Sequence, residues 1–76
     1  MQWQNKDGRL TAELSFEHQT ALAEYVLKAA KISDKMGHHA DMEVHYNKLF
    51  LSLYTHDENA ITDKDYALAR KLEELM

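Results

Sequence analysis

The spacing of apolar positions along this chain switches between two residues and three to four, and each switch marks an element. Leu10, Ala12, Leu14 and Phe16 alternate with polar residues, which is the period of a strand with one buried face. Asn5-Lys6-Asp7-Gly8 has turn chemistry, and Trp3 lies on its far side, so this region reads as a β-hairpin. From His18 to about Met36 the period lengthens. Leu22, Tyr25, Val26, Ala29, Ile32 and Met36 recur at helical spacing and predict an amphipathic helix. Ala21, Ala23, Ala29 and Ala30 add helix propensity, and Gly37 is placed to end the helix. Met42, Val44 and Tyr46 then share one strand face. Leu49, Leu51 and Leu53 share one face of the next stretch, with Phe50, Ser52, Tyr54 and His56 on the other. Asn47-Lys48 is a candidate bend, although the pattern also allows one continuous strand. His56 to Asn59 reads as a polar loop. Thr62 to Met76 predicts a second helix, with Tyr66, Ala69, Leu72, Leu75 and Met76 inward. Thr62 is its N-cap candidate, and Asp65, three residues on, completes a capping box with Asp in place of Glu.

The order is ββαββα. That predicts an α+β fold, an antiparallel four-stranded sheet with helices packed on one face. Phe50 and Tyr54 then leave the other face partly apolar, which suggests association through the sheet or its edge. The chain has 76 residues, no proline, two glycines, and no repeat or linker, so one domain over residues 1–76 is expected. A chain of this size hides only roughly 60% of its unfolded surface. It has no cysteine, hence no disulfide staple. Completion by its own copies, as a homodimer or homotetramer, is therefore expected.

A net charge of −4 with no basic run argues against direct nucleic-acid binding, which needs a positive footprint to displace counterions. The longest apolar run, around Leu49 to Tyr54, is far too short to span a bilayer. The polar opening Met1-Gln2-Trp3-Gln4 has no signal-peptide pattern, so a cytoplasmic protein is expected. A protein partner stays open.

Five histidines are present, and their placement matters more than their number. His38 and His39 follow a helix stop, and His56 follows a strand. Residues at element ends can converge in a cleft on a rigid scaffold, and Tyr46 and Asp65 can border the same cleft. His18 and His45 read as surface residues. A metal site is the competing reading, because His38, His39, His45 and His56 with Asp41 or Asp57 offer nitrogen and oxygen ligands. Adjacent histidines on an extended segment point to opposite sides, however, and no second pair stands at ligand spacing, so no metal is expected.

The segment Asp34-Lys35-Met36-Gly37-His38-His39-Ala40-Asp41-Met42-Glu43-Val44-His45-Tyr46 resembles the signature of pterin-4a-carbinolamine dehydratases. That signature has an acidic residue, three spacers, His-His-Pro, and an aromatic about six positions later. The likeness continues through Tyr46-Asn47, an alternating apolar strand, Thr55-His56, and an acid, Asp65, at the start of the last helix. Trp3 and Gly8 resemble the family's tryptophan and following turn. Ala40 stands where the family usually has proline, and Asp34 where glutamate is common.

The resemblance implies dehydration of a 4a-hydroxytetrahydropterin to a quinonoid dihydropterin, as in pterin recycling, with no cofactor. In that reaction the hydroxyl leaves C4a as water, so an acid delivers a proton. A ring nitrogen loses a proton, so a base accepts one. Imidazoles titrating near neutral pH suit both roles. The resemblance assigns His38 and His56 to proton transfer, with acid and base undivided, and His39 mainly to holding the pterin. It places Asp34, Asp65, Thr55 and Tyr46 around the substrate: Asp34 and Asp65 orient imidazoles or bind pterin N–H groups, and Tyr46 packs beneath. The family also contains members that bind transcription factors as dimerisation partners. A non-catalytic protein-binding module, or a pterin-binding assembly helper of the same fold, is therefore the alternative.

Overall fold

The computed structural model describes all 76 residues. Gln4–Lys6 (β1) and Arg9–Ser15 (β2) form the first hairpin. Its loop is Asp7-Gly8, with φ of 54° and 77°. Two successive positive φ values belong to a type I′ turn, whose twist matches that of the flanking strands and which favours Asp-Gly. Helix α1 spans Gln19–Met36, β3 spans Asp41–His45 and β4 spans Lys48–Leu53. A 3₁₀ turn, His56–Glu58, leads to helix α2, Asp63–Glu74. The sheet order is β1-β2-β4-β3 and every pairing is antiparallel. The expected α+β architecture and order ββαββα are present.

Register explains the core. Leu10 pairs with Leu53, Ala12 with Leu51 and Leu14 with Leu49, and all six are buried. Leu22, Tyr25 and Ala29 of α1 and Leu68, Ala69 and Leu72 of α2 are buried with them. Tyr25 ties the two helices together, its hydroxyl donating to the Leu72 carbonyl at 2.8 Å. Burial, with the nearby Glu73 charge, pushes the Tyr25 phenol up to about 12. The opposite sheet face carries Thr11, Glu13, Glu43, Phe50 and Ser52, and Phe50 is only half-buried. No helix is long and apolar enough to cross a membrane.

The caps aim the chain at the site. The imidazole Nδ1 of His18 accepts from the Ala21 N–H at 3.1 Å and caps α1. At the other end Gly37 takes φ 68°. The Gly37 N–H bonds the Asp34 carbonyl at 3.3 Å and the His38 N–H bonds the Ser33 carbonyl at 3.2 Å. That bond pair is the Schellman closure, and it turns the chain sharply out of the helix at His38. Helix α2 opens with the expected capping box between Thr62 and Asp65.

Some expected faces are rotated. Tyr66 is 48% exposed, and Leu68 occupies the inward place. Asp65 is buried, so the inward stripe runs Asp65, Leu68, Ala69, Leu72, and Tyr66 lies about 100° away from Asp65. Met36 and Met76 are likewise exposed, and buried Ser33 closes the inward face of α1. Tyr46 does not share the face of Met42 and Val44. His45 pairs with Lys48, so Tyr46-Asn47 is a two-residue hairpin turn, with Tyr46 at φ 52° and 66% exposed. Lys48 already belongs to β4, which removes both the Asn47-Lys48 bend and the continuous strand.

Candidate active site

Three element ends meet at one end of the sheet. The Schellman closure of α1 delivers His38 and His39, the end of β4 delivers Thr55 and His56, and the first turn of α2 delivers Asp65. His38, His39 and His56 line one open pocket of about 320 Å³, with Asp41, Tyr54, Thr55 and Lys64 among its walls.

His38 is fixed from behind. Its Nε2 lies 2.5 Å from Asp65 Oδ1, with the His38 side chain 14% exposed and the Asp65 side chain fully buried. The second carboxylate oxygen, Oδ2, accepts from the Thr55 hydroxyl at 2.8 Å and from the Thr62 N–H at 2.9 Å. The Thr55 and Thr62 hydroxyls are themselves 2.7 Å apart. Burial pushes the Asp65 carboxyl up. The His38 hydrogen bond, the Thr62 N–H, the Thr55 hydroxyl and the His38 charge outweigh burial and hold it below its ordinary value. An ionised carboxylate only accepts, so Nε2 of His38 is the donor in this bond. The capping residue of α2 is thus also the acceptor that holds a pocket histidine.

The other two histidines are held more loosely. His39 Nε2 meets Asp34 Oδ1 at 2.8 Å, but both side chains are largely exposed and water screens the pair. His56 opens the 3₁₀ turn and is exposed. Its ring packs edge-on against Tyr54, with centroids 5.1 Å apart and planes at 84°. Backbone bonds between Thr55 and Ala60, at 3.0 and 3.4 Å, close the neck of this turn.

Of the expected site residues, the structure brings together His38, His39, His56, Thr55 and Asp65. Asp34 reaches the group through His39. Tyr46 is not brought in. It sits at the β3–β4 turn, at the far end of the strands from His39 and Thr55, roughly 17 Å away at the rise of a strand. His45 also lies at that far end, packed against Phe50 at 5.4 Å. No three His, Asp or Glu side chains gather as a metal-holding group. Two wall residues were not singled out from the sequence for this site, Tyr54 and Lys64. Tyr54 had a signal, since it immediately precedes Thr55-His56 on the alternating strand. Lys64 had none beyond standing next to Asp65.

An α+β sheet with a carboxylate-anchored histidine cluster at the end of its strands defines the class of protein, and comparison with known proteins gives the family. Residues 1–75 match the model of pterin 4 alpha carbinolamine dehydratase, and the chain belongs to that family. A protein of Sulfolobus acidocaldarius named "Putative pterin-4-alpha-carbinolamine dehydratase" is 36% identical over 73 residues, covering 96% of this chain and 80% of that protein. A Chloroflexus aurantiacus protein of the same name is 31% identical over 74 residues, covering 97% of this chain and 80% of its own length. Among solved structures, the transcriptional coactivator/pterin dehydratase of Brucella melitensis superimposes with a TM-score of 0.91 at 29% identity, over 96% of this chain and 80% of that one. A pterin dehydratase-like RuBisCO assembly factor of the alpha-carboxysome shares the fold, with a TM-score of 0.78 at 16% identity over 97% of this chain and 86% of that one.

Proposed function

We propose that this chain is a hydro-lyase that dehydrates a 4a-hydroxytetrahydropterin to the quinonoid dihydropterin. The observation that carries this reading is the convergence of His38, His39 and His56 on one pocket, with His38 held by a buried carboxylate. The reaction breaks the C4a–O bond. The leaving hydroxyl takes a proton and departs as water, a ring nitrogen gives up a proton, and no electrons are exchanged with a cofactor. In this reading His38 is the base. A carboxylate behind Nε2–H stabilises an imidazolium formed when Nδ1 accepts the proton, as the aspartate of a catalytic triad does. His56, in the same pocket, is the acid, and His39 holds the pterin. The family membership and the dehydratase names of the relatives support the same substrate class.

The test is a stopped-flow assay in which the 4a-hydroxytetrahydropterin is generated in place and its ultraviolet decay is followed with and without protein, plus a chelator control. Acceleration that survives the chelator and is lost in the double variant His38→Ala, His56→Ala is the expected result. A folded protein that leaves the decay unchanged would overturn the reading.

A second reading is protein binding. It draws support from the uncovered sheet face, a hollow of about 740 Å³ with Phe50 and Ser52 in its wall, and from the coactivator name of the Brucella relative. Partner capture that survives loss of all three pocket histidines would favour it. Exposed Leu27, Val44, Tyr66 and Met76 also suit packing against further copies of this chain, as a homodimer or homotetramer. Sedimentation showing a folded monomer at micromolar concentration would exclude that assembly.

A further inference from the structure

We infer that Tyr54, held in place by Arg9, is a positioning residue for His56. His56 lies on a short exposed turn, and nothing like the Asp65 carboxylate stands behind its ring. Tyr54 meets that turn at two points. Its ring packs against the His56 imidazole at 5.1 Å, and its hydroxyl donates to Asn59 Oδ1 at 2.7 Å. Asn59 ends the turn in the left-handed conformation, φ 53°, and its N–H bonds the His56 carbonyl at 3.2 Å. The phenol therefore spans the turn from the strand before His56 to the residue that closes it.

Tyr54 is held in turn by β2. Leu10 pairs with Leu53, which puts Arg9 opposite Tyr54, and the Arg9 guanidinium lies 4.5 Å from the centre of the Tyr54 ring. Arg9 also bonds Ser52 at 3.4 Å and Asp41 at 3.3 Å, reaching from β2 across β4 to β3. A cation over an aromatic face is attractive, and a guanidinium anchored by two further partners loses little freedom in keeping it. The sheet thus fixes Arg9, Arg9 fixes the Tyr54 ring, and the ring limits the orientations open to His56. A proton donor on an exposed loop needs such a limit, because small misplacements of a reacting group cost large factors in rate.

The catalytic part of this inference rests on the dehydratase reading, while the positioning itself does not. The experiment therefore has two readouts on Tyr54→Leu, Tyr54→Phe and Arg9→Ala. The first is the set of histidine ring proton resonances by NMR. Tyr54→Leu is expected to shift the His56 signals and leave those of His18 in place, with Arg9→Ala shifting His56 less and Tyr54→Phe least. The second is steady-state dehydration. Tyr54→Leu is expected to lower kcat about tenfold with KM changed less than twofold, Arg9→Ala about threefold, and Tyr54→Phe is expected to retain most of the rate. A folded Tyr54→Leu protein whose His56 resonances stay put overturns the inference. So does a moved His56 with unchanged kcat, if His56→Ala abolishes turnover. If the wild-type protein dehydrates no pterin, the dehydratase reading falls, and the His56 resonances in Arg9→Ala, which keeps the Tyr54 ring and its ring current, decide whether the ring is held in place.

Discussion

On one side of the pocket, His38 is 14% exposed and bonded to a carboxylate with no exposed surface, which the Thr55 hydroxyl and the N–H of the capping Thr62 hold in turn. On the other side His56 is exposed, on a three-residue turn, steadied by the ring of Tyr54. The first side is part of the folding core, since Asp65 lies on the inward stripe of α2 with Leu68, Ala69 and Leu72. The second side is a surface feature. Substitutions on the two sides should therefore separate stability from function: the buried side couples them, and the exposed side does not.

The largest expected effect breaks the buried side. Asp65→Ala leaves the His38 N–H, the Thr55 hydroxyl and the Thr62 N–H without their acceptor and should cost about 3 kcal/mol, read from the urea midpoint. That is a large share of the stability of a domain this small. His56→Ala should do the reverse. Turnover falls about 100-fold while stability changes by less than about 0.5 kcal/mol, and a large loss of stability would contradict the comparison.

Acid sharpens the same contrast. The Asp65 carboxyl is held below its ordinary value of 3.8 in the fold, so the folded protein binds fewer protons there than the unfolded chain. The stabilisation is complete above the ordinary value and is lost as pH falls through the lower, folded value. Stability measured from pH 5 downward should drop in the wild type, with a shallower drop in Asp65→Asn. Gly37→Ala should be milder, at about 1 kcal/mol. The added Cβ meets nothing within 4 Å, and the cost is only that of the left-handed conformation at φ 68°. The smallest effect belongs to Asp34→Ala. It removes an exposed partner of His39 and should change stability by at most about 0.5 kcal/mol, while raising KM for the pterin if His39 holds it.

Much of this architecture is legible in the order of residues. Two-residue alternation at Leu10, Ala12 and Leu14 and again at Leu49, Leu51 and Leu53 names the buried sheet face, because strand side chains alternate strictly. Asp7-Gly8, Gly37 and the Thr62–Asp65 box mark a hairpin and two helix ends, because each position needs a backbone conformation or a hydrogen bond that few residues supply. Helix faces were harder to read. A helical stripe is set by which residue is buried, and the inward burial of a charged Asp65, which displaced Tyr66 to the surface, depends on His38 and Thr55, just past the ends of α1 and β4.

The sequence by itself determined the elements, their order, the family signature and the residue types of the site, since propensity, capping and periodicity act over a few neighbouring residues. Only the tertiary structure decided which of those residues meet. Asp65 reaches His38 across 27 positions of chain, and Arg9 reaches Asp41 across 32. Tyr46, inside the same signature, is carried to the far end of the sheet, because the His45–Lys48 pairing places it in the turn. Contacts between residues so far apart in the chain follow from strand register and helix rotation. Those are settled by burying the whole core at once, not by any short run of sequence.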